Sequence, residues 1–288
     1  MSALALGLVL VAAATHATWN LSAKRSRGGL PFVWVSSTFA LILYAFAATG
    51  YWLWRAPVLP AGVGWVVVGS GLLKTAYALL LQRAYRHGDF SLVYPLTRGS
   101  APLLATVAAI ALFGERPTPL ALAGGAIIVA SVFVLGGGPA LWHADRAHLR
   151  PGVWSGLACG ACVACYTVWD QRAVGHLRLP PVLYDAGTQL VLFCVVTPFA
   201  WWRRAEVAAA WREHRGEAAV VGLLSPVAYV LVLTAMSFTP VSYIAPAREI
   251  SILFGALFGA RLLKEADAGR RLLAATGLVA GVVALALG

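Results

Sequence analysis

Ten apolar stretches of roughly 18 to 22 residues run through the chain, near positions 3–22, 31–52, 62–82, 90–113, 119–136, 152–170, 181–202, 218–238, 241–261 and 271–287. At about 1.5 Å of rise per residue, each is long enough to cross a hydrocarbon layer about 30 Å thick as a helix. Strands of a membrane barrel are excluded, because they alternate apolar and polar residues over about 10 positions and these runs do not. The pattern therefore predicts an all-α integral membrane protein with ten transmembrane helices, since backbone groups in lipid must be satisfied within their own segment. Composition agrees: 60% of the 288 residues are apolar and 11% charged, with a mean hydropathy of +0.78, far from an ordinary soluble domain.

The formal charge of +11 does not point to nucleic acid. The basic residues sit in connections between apolar runs, where they meet anionic lipid headgroups, and no basic stretch is interleaved with aromatics on a polar domain. Connections after the first, third, fifth, seventh and ninth segments hold most of the Lys and Arg, from Lys24 to Arg271, whereas the opposite side holds Arg55, Arg116, Arg172 and Arg178. This asymmetry predicts that the first set of connections is cytoplasmic and that both termini are not. The first segment lacks a basic leader and continues past Trp19 to Leu21, so it is expected to stay as a helix rather than to be cleaved.

Two stretches read alike: SLVYPLTRGS at 91–100 and SYIAPAREIS at 242–251. Ser91 pairs with Ser242 and Pro95 with Pro246 at an offset of 151, then Arg98 with Arg248 and Glu115 with Glu265 at an offset of 150. The offset of 150 also pairs Trp19 with Trp169 and Asn20 with Asp170. This predicts two five-helix halves, 1–137 and 151–288, joined by a linker at 138–150. An odd number of helices per half makes the copies an inverted repeat, an architecture of many secondary transporters whose substrate site lies where the halves meet.

The segments THATWNLSAKR, HGDFSLVYPLTRGSAPLL with FGERPTPLALAGGAII, and VSYIAPAREISILFGALFG with LLKE resemble the drug/metabolite transporter superfamily, specifically its EamA-type carriers of five plus five helices. The resemblance covers almost the whole chain. It implies transport of a small metabolite and is poor for naming it. Small multidrug-resistance relatives use a Glu in the first helix, whereas this first helix offers His16 and Asn20, which argues against a mechanism carried on that Glu. Several relatives are thought to keep both termini cytosolic, opposite to the charge asymmetry above.

Charged residues deep in apolar helices carry the site hypothesis. Arg at the centre of a membrane helix costs about 2.5 to 3.5 kcal/mol on insertion scales, so Arg98 and Arg248 are expected to face a cavity or a partner, the alternative being a structural ion pair. Lys74 is the third deep cation, with Tyr77 on the same helix. Glu249 follows Arg248 but projects about 100° away from it, so its partner must come from another helix, Lys74 or Arg98. Pro95 and Pro246 remove backbone bonds just before the arginines and are candidate hinges. His16 and Asn20 share one face of the first helix, as Tyr166 and Asp170 share one of the sixth; Tyr94 and Tyr243 flank the prolines. Asp170 stands near a helix end, and Tyr184 and Asp185 are expected at the membrane interface. Glu115 and Glu265 are expected to cap the next helix or meet nearby arginines. Cys159, Cys162, Cys165 and Cys194 read as small packing residues rather than a metal site, since thiolates buried in lipid are costly. Gly124 and Gly125 are expected to meet the last helix, where Gly277 and Gly281, like Gly255 and Gly259 on the ninth, have small-xxx-small spacing.

These readings predict a secondary active transporter for a small polar metabolite, anionic or zwitterionic, coupled to protons, in the cell membrane, as a monomer or homodimer. No cofactor or metal is implied and no catalytic residues are assigned. The alternatives are a membrane enzyme acting on lipid-linked substrates, for which the loops offer no nucleophile, base and acid cluster, and a non-transporting assembly or sensor subunit.

Overall fold

The computed structural model describes residues 1–26, 29–87, 90–135, 146–254 and 268–288. Side chains are described within these ranges except at 24, 25, 82–87, 90–95, 135, 146–152, 268, 270 and 271. Tyr94 and Pro95 fall in the helical backbone, but their side chains lie outside the described set, as do Ser91, most of the loop cations and the side chains at 147–150. Gly255, Gly259, Glu265 and most of the predicted linker also lie outside the described residues.

Every regular element among the described residues is helical: α1 (Ala3–Ser26), α2 (Leu30–Arg55), α3 (Val63–His87), α4 (Phe90–Phe113), α5 (Pro119–Leu135), α6 (Arg146–Gln171), α7 (Pro181–Trp202), α8 (Arg204–Met236), α9 (Val241–Ala247) and α10 (Ala268–Leu287). Six helices, α1, α2, α3, α4, α7 and α8, are long and apolar enough to cross a membrane, while α5 and α10 contain shorter apolar runs. The surface is inverted relative to a soluble protein. Trp54, Trp65 and Trp202 are each more than 70% exposed, and they stand at or near helix ends, where aromatic side chains meet the membrane interface.

Local sequence explains the boundaries. Gly29 precedes α2, with Pro31 in its first turn, and Pro181 opens α7; a missing N–H costs nothing at these positions. Gly114, at φ +64°, follows α4 in the left-handed conformation that ends helices without a side-chain clash.

Three elements differ from expectation. The stretch from Arg204 to Glu217, read as a connection, is the first part of α8, bent where His214 leaves helical geometry (φ −129°, ψ 19°). It is rich in Ala, Glu and Arg, which favour helix but carry no membrane signal. Val207 and Ala210 pack against the Phe32, Val35 and Ala218 cluster, and Trp211 stacks on Phe39 with ring centroids 5.5 Å apart. Second, α6 begins at Arg146, inside the predicted linker, and runs into a π-helical turn at Arg172–His176. Third, α9 gives way to a 3-10 turn at Arg248–Ile250, two residues after Pro246 withholds a backbone donor.

Packing pairs the helices in a repeating manner. α1 and α2 lie on α8, while α6 and α7 lie on α3; α2 meets α7, and α5 meets α10. The α5–α10 crossing is at Gly124 and Gly281, where a Cβ on either would stand 2.6 or 2.7 Å from the other's carbonyl oxygen. The N-terminal ammonium donates to Ala286 O at 3.2 Å, so the two ends of the chain share one side of the bundle.

Candidate functional site

Glycines bring α3, α6 and α7 together around Lys74. A Cβ at Gly69 would lie 2.5 Å from the Trp169 ring of α6; one at Gly71 would meet Val191 of α7 at 2.6 Å, and one at Gly187 would meet Val67 of α3 at 2.7 Å. With the three backbones this close, the Lys74 ammonium reaches carboxylates on both neighbours. Lys74 Nζ donates to Asp185 Oδ1 at 2.9 Å and to Thr188 Oγ1 at 2.9 Å, and stands 3.4 Å from Asp170 Oδ2.

Both carboxylates are buried, Asp170 completely. Asp170 accepts bonds from Ser70, from Tyr184 at 2.6 Å and from Tyr229, and Asp185 also accepts from Tyr44. Such density of donors is what a buried carboxylate requires. Tyr184 and Asp185, expected at the membrane interface, are buried within the helix bundle. Asp170 is likewise not solvated at its helix end: the π-helical turn begins two residues later, and such turns often mark functional positions.

A second group of charges lies on α1, α4 and the 3-10 turn. Arg98 Nη2 is 2.8 Å from His16 Nε2, and Arg98 Nη1 is 3.5 Å from Glu249 Oε2. Of the two partners considered for Glu249, the geometry thus gives Arg98 and not Lys74. Glu249 is buried, and its Oε2 has no hydrogen-bond partner among the described residues. Arg248 stacks on the Tyr229 ring with its guanidinium carbon 5.5 Å from the centroid, and among the described residues no carboxylate forms an ion pair with it.

Tyr229 of α8 joins the two groups. Its hydroxyl donates to Asp170, its ring lies 4.3 Å from Lys74 Nζ, and Arg248 takes the same ring. Tyr166 packs against Tyr229 and Tyr77 at centroid distances of 6.4 and 5.9 Å. Lys74 and Arg98 keep 15% and 19% of their side chains accessible, so a water-sized probe still reaches both.

The structure therefore brings together His16, Lys74, Tyr77, Arg98, Tyr166, Arg248 and Glu249. Asn20 is half-buried and has no hydrogen bond among the described residues. Tyr243 is not brought to this place: its hydroxyl donates to Gly288 O and accepts from Thr118 N, each at 3.4 Å, at the chain's end. Pro246 is buried against Gly125. Glu115 caps not the next helix but α9, accepting from Val241 N at 2.8 Å and Ser242 N at 2.9 Å and so joining the end of α4 to the start of α9. The cysteines are free thiols, and no His, Cys, Asp and Glu cluster suited to a metal occurs among the described residues. Reading the sequence alone missed Tyr44, Ser70, Tyr184, Asp185, Thr188 and Tyr229. One signal was present, since a deep Lys74 needs a carboxylate and Asp170, Asp185 and Glu249 are the acidic residues in the apolar segments.

No curated protein matches the chain. Among solved structures, a crystal structure shares its fold with a TM-score of 0.75 at 19% identity, over 100% of this chain and 98% of that one. The apolar helices and the family match describe a multi-pass integral membrane protein. Residues 150–287 match the model of the EamA-like transporter family, as expected of an EamA-type protein.

Proposed function

We propose that the protein is a secondary active transporter of the cell membrane, built as ten transmembrane helices in an inverted repeat, that moves a small zwitterionic metabolite by alternating access coupled to protons. The halves are residues 1–137 and 151–288, with 138–150 between them. Support for the repeat comes from the packing pairs: α1 on α8 is matched by α6 on α3, α2 on α8 by α7 on α3, and α2 with α7 and α5 with α10 are self-matched.

The observation that carries the substrate class is the division of charge. Lys74 faces two carboxylates, Asp170 and Asp185, so with these groups ionised that end has an excess of one negative charge. Arg98 and Arg248 face one carboxylate, Glu249, so the other end has an excess of one positive charge. A substrate with an ammonium and a carboxylate matches both ends, whereas a plain anion matches only the arginines. Of the anionic and zwitterionic substrates left open by the sequence, the two aspartates favour the zwitterion. Pro246 and the 3-10 turn at Arg248 supply a break in helix geometry at which α9 can bend, and Pro95 is the matching hinge candidate on α4.

Flux into proteoliposomes tests the proposal, using zwitterionic, anionic and cationic metabolites of similar size, with and without a pH gradient. Uptake of zwitterions above the others, raised by the gradient, supports it. Equal leakage of all three classes contradicts it.

A further inference from the structure

We propose that His16 is a proton-binding site that decides which half of the molecule Arg98 grips. The idea rests on the transport reading above and names the group through which a proton would act.

Arg98 Nη2 lies 2.8 Å from His16 Nε2. A guanidinium has donors and no acceptor, so this bond requires a lone pair on Nε2. The ring in this state is neutral, with its proton on Nδ1. The other terminal nitrogen of Arg98 stands 3.5 Å from Glu249 Oε2, an oxygen with no hydrogen-bond partner among the described residues. Arg98 thus holds a short bond to a neutral ring on α1, in its own half, and a looser contact to a carboxylate in the other half.

A proton taken from water onto Nε2 turns that acceptor into a donor and sets a positive charge against the guanidinium. The His16 bond is then lost, and Arg98 closes on Glu249, whose oxygen is already in ion-pair range and awaiting a donor. One proton exchanges an α1–α4 contact within a half for an ion pair between halves. Such an exchange is what a rocking mechanism needs in order to sense protons.

Among the described residues, Glu249 is the carboxylate within reach of Arg98. On α1 itself, Trp19 meets the His16 ring edge-on at 4.6 Å. Arg98 comes from α4, and Arg248 and Glu249 come from the 3-10 turn packed against α1. Tyr166 of α6 lies within electrostatic reach of Arg98 and Arg248, and Tyr229 of α8 carries the Arg248 guanidinium on its ring. Glu249 is the one carboxylate in this set. An anionic group docked at Arg248 would offset positive charge facing the ring, so anion and proton would favour each other's binding by linkage.

Magnetic resonance of the full chain in lipid nanodiscs, labelled with nitrogen-15 histidine and carbon-13 glutamate, tests this without any substrate. His16→Gln and Glu249→Gln assign the two signals. The expected result is a neutral His16 with its proton on Nδ1, and a Glu249 carboxyl signal that shifts on acidification with the same midpoint as the His16 ring. That inflection is lost in His16→Gln. A neutral ring protonated on Nε2, a Glu249 signal that stays flat while His16 titrates, or an inflection that persists in His16→Gln would each overturn the proposal. If His16→Gln does not fold, the first two readouts on the unsubstituted chain decide. Absence of metabolite flux would remove the transport reading and leave these readouts standing on their own.

Discussion

Lys74 Nζ stands 2.9 Å from Asp185 Oδ1, joining α3 to α7 through a charge pair that is almost entirely enclosed. Removing one member of such a pair leaves an uncompensated charge, at a cost of about 3 to 5 kcal/mol. Lys74→Ala is therefore expected to lower the melting temperature in detergent sharply, because Asp170 and Asp185 then face one another without the ammonium. Lys74→Met combined with Asp185→Leu should recover part of that loss. A double variant no more stable than Lys74→Ala would show that the pair is not the unit that matters.

Tyr229 has two separable roles. Tyr229→Phe removes the hydroxyl bond to Asp170 and keeps the ring for Lys74 and Arg248, so it should cost about 1 to 3 kcal/mol, the range for leaving a buried acceptor short of a donor. Tyr229→Leu also removes two cation–ring contacts, each worth about 0.5 to 2 kcal/mol. Thermal unfolding should rank the chain above Phe and Phe above Leu. Equal stability of the two variants would remove the ring from the account.

Gly124 and Gly281 set the spacing of α5 and α10. Gly281→Ala places a methyl group against the opposing backbone and is expected to destabilise by about 1 to 3 kcal/mol, as overpacking does. Gly50, with nothing within 4 Å of its would-be Cβ, is the control: Gly50→Ala should be neutral or stabilising by up to about 1 kcal/mol through helix propensity. Melting temperatures of the two variants check the contrast.

How much of this was readable in advance differs from residue to residue. Arg98, Arg248, Lys74 and Glu249 stood out because a charge inside an apolar run has few explanations. Asp185 was hidden by its place near the start of α7, where a carboxylate ordinarily meets water. It is buried because α3 approaches α7 closely at Gly71 and Gly187, and proximity between helices distant in sequence leaves no periodic trace. Tyr229 was hidden for a similar reason, as a tyrosine in an apolar helix reads the same whether it faces lipid or two cations. Tyr243 flanks a motif proline in sequence, yet the end of the bundle holds it through Thr118 and Gly288. The first part of α8 lacks a membrane signal altogether, and its helix is held by packing on α2.

Glu115 receives two backbone N–H groups at the start of α9, a contact between the predicted halves. Glu115→Ala should cost about 0.5 to 2 kcal/mol, as loss of a helix cap does. Glu115→Gln keeps a carbonyl acceptor and should fall between the alanine variant and the unsubstituted chain. Thermal unfolding again reads the order, and an alanine variant as stable as the unsubstituted chain would contradict the capping role.

On the proposed function, excess negative charge at Lys74, Asp170 and Asp185 and excess positive charge at Arg98, Arg248 and Glu249 recognise the two ends of a zwitterion. The most direct test is proteoliposome uptake of a zwitterion against the corresponding anion lacking the ammonium, in the unsubstituted chain, Arg248→Gln and Asp185→Asn. The expected result is preferential uptake of the zwitterion, a loss of at least about tenfold in Arg248→Gln, the effect of about 1.4 kcal/mol in binding, and a narrower preference over the anion in Asp185→Asn. Uptake of the anion equal to that of the zwitterion, unchanged by either substitution, would contradict it.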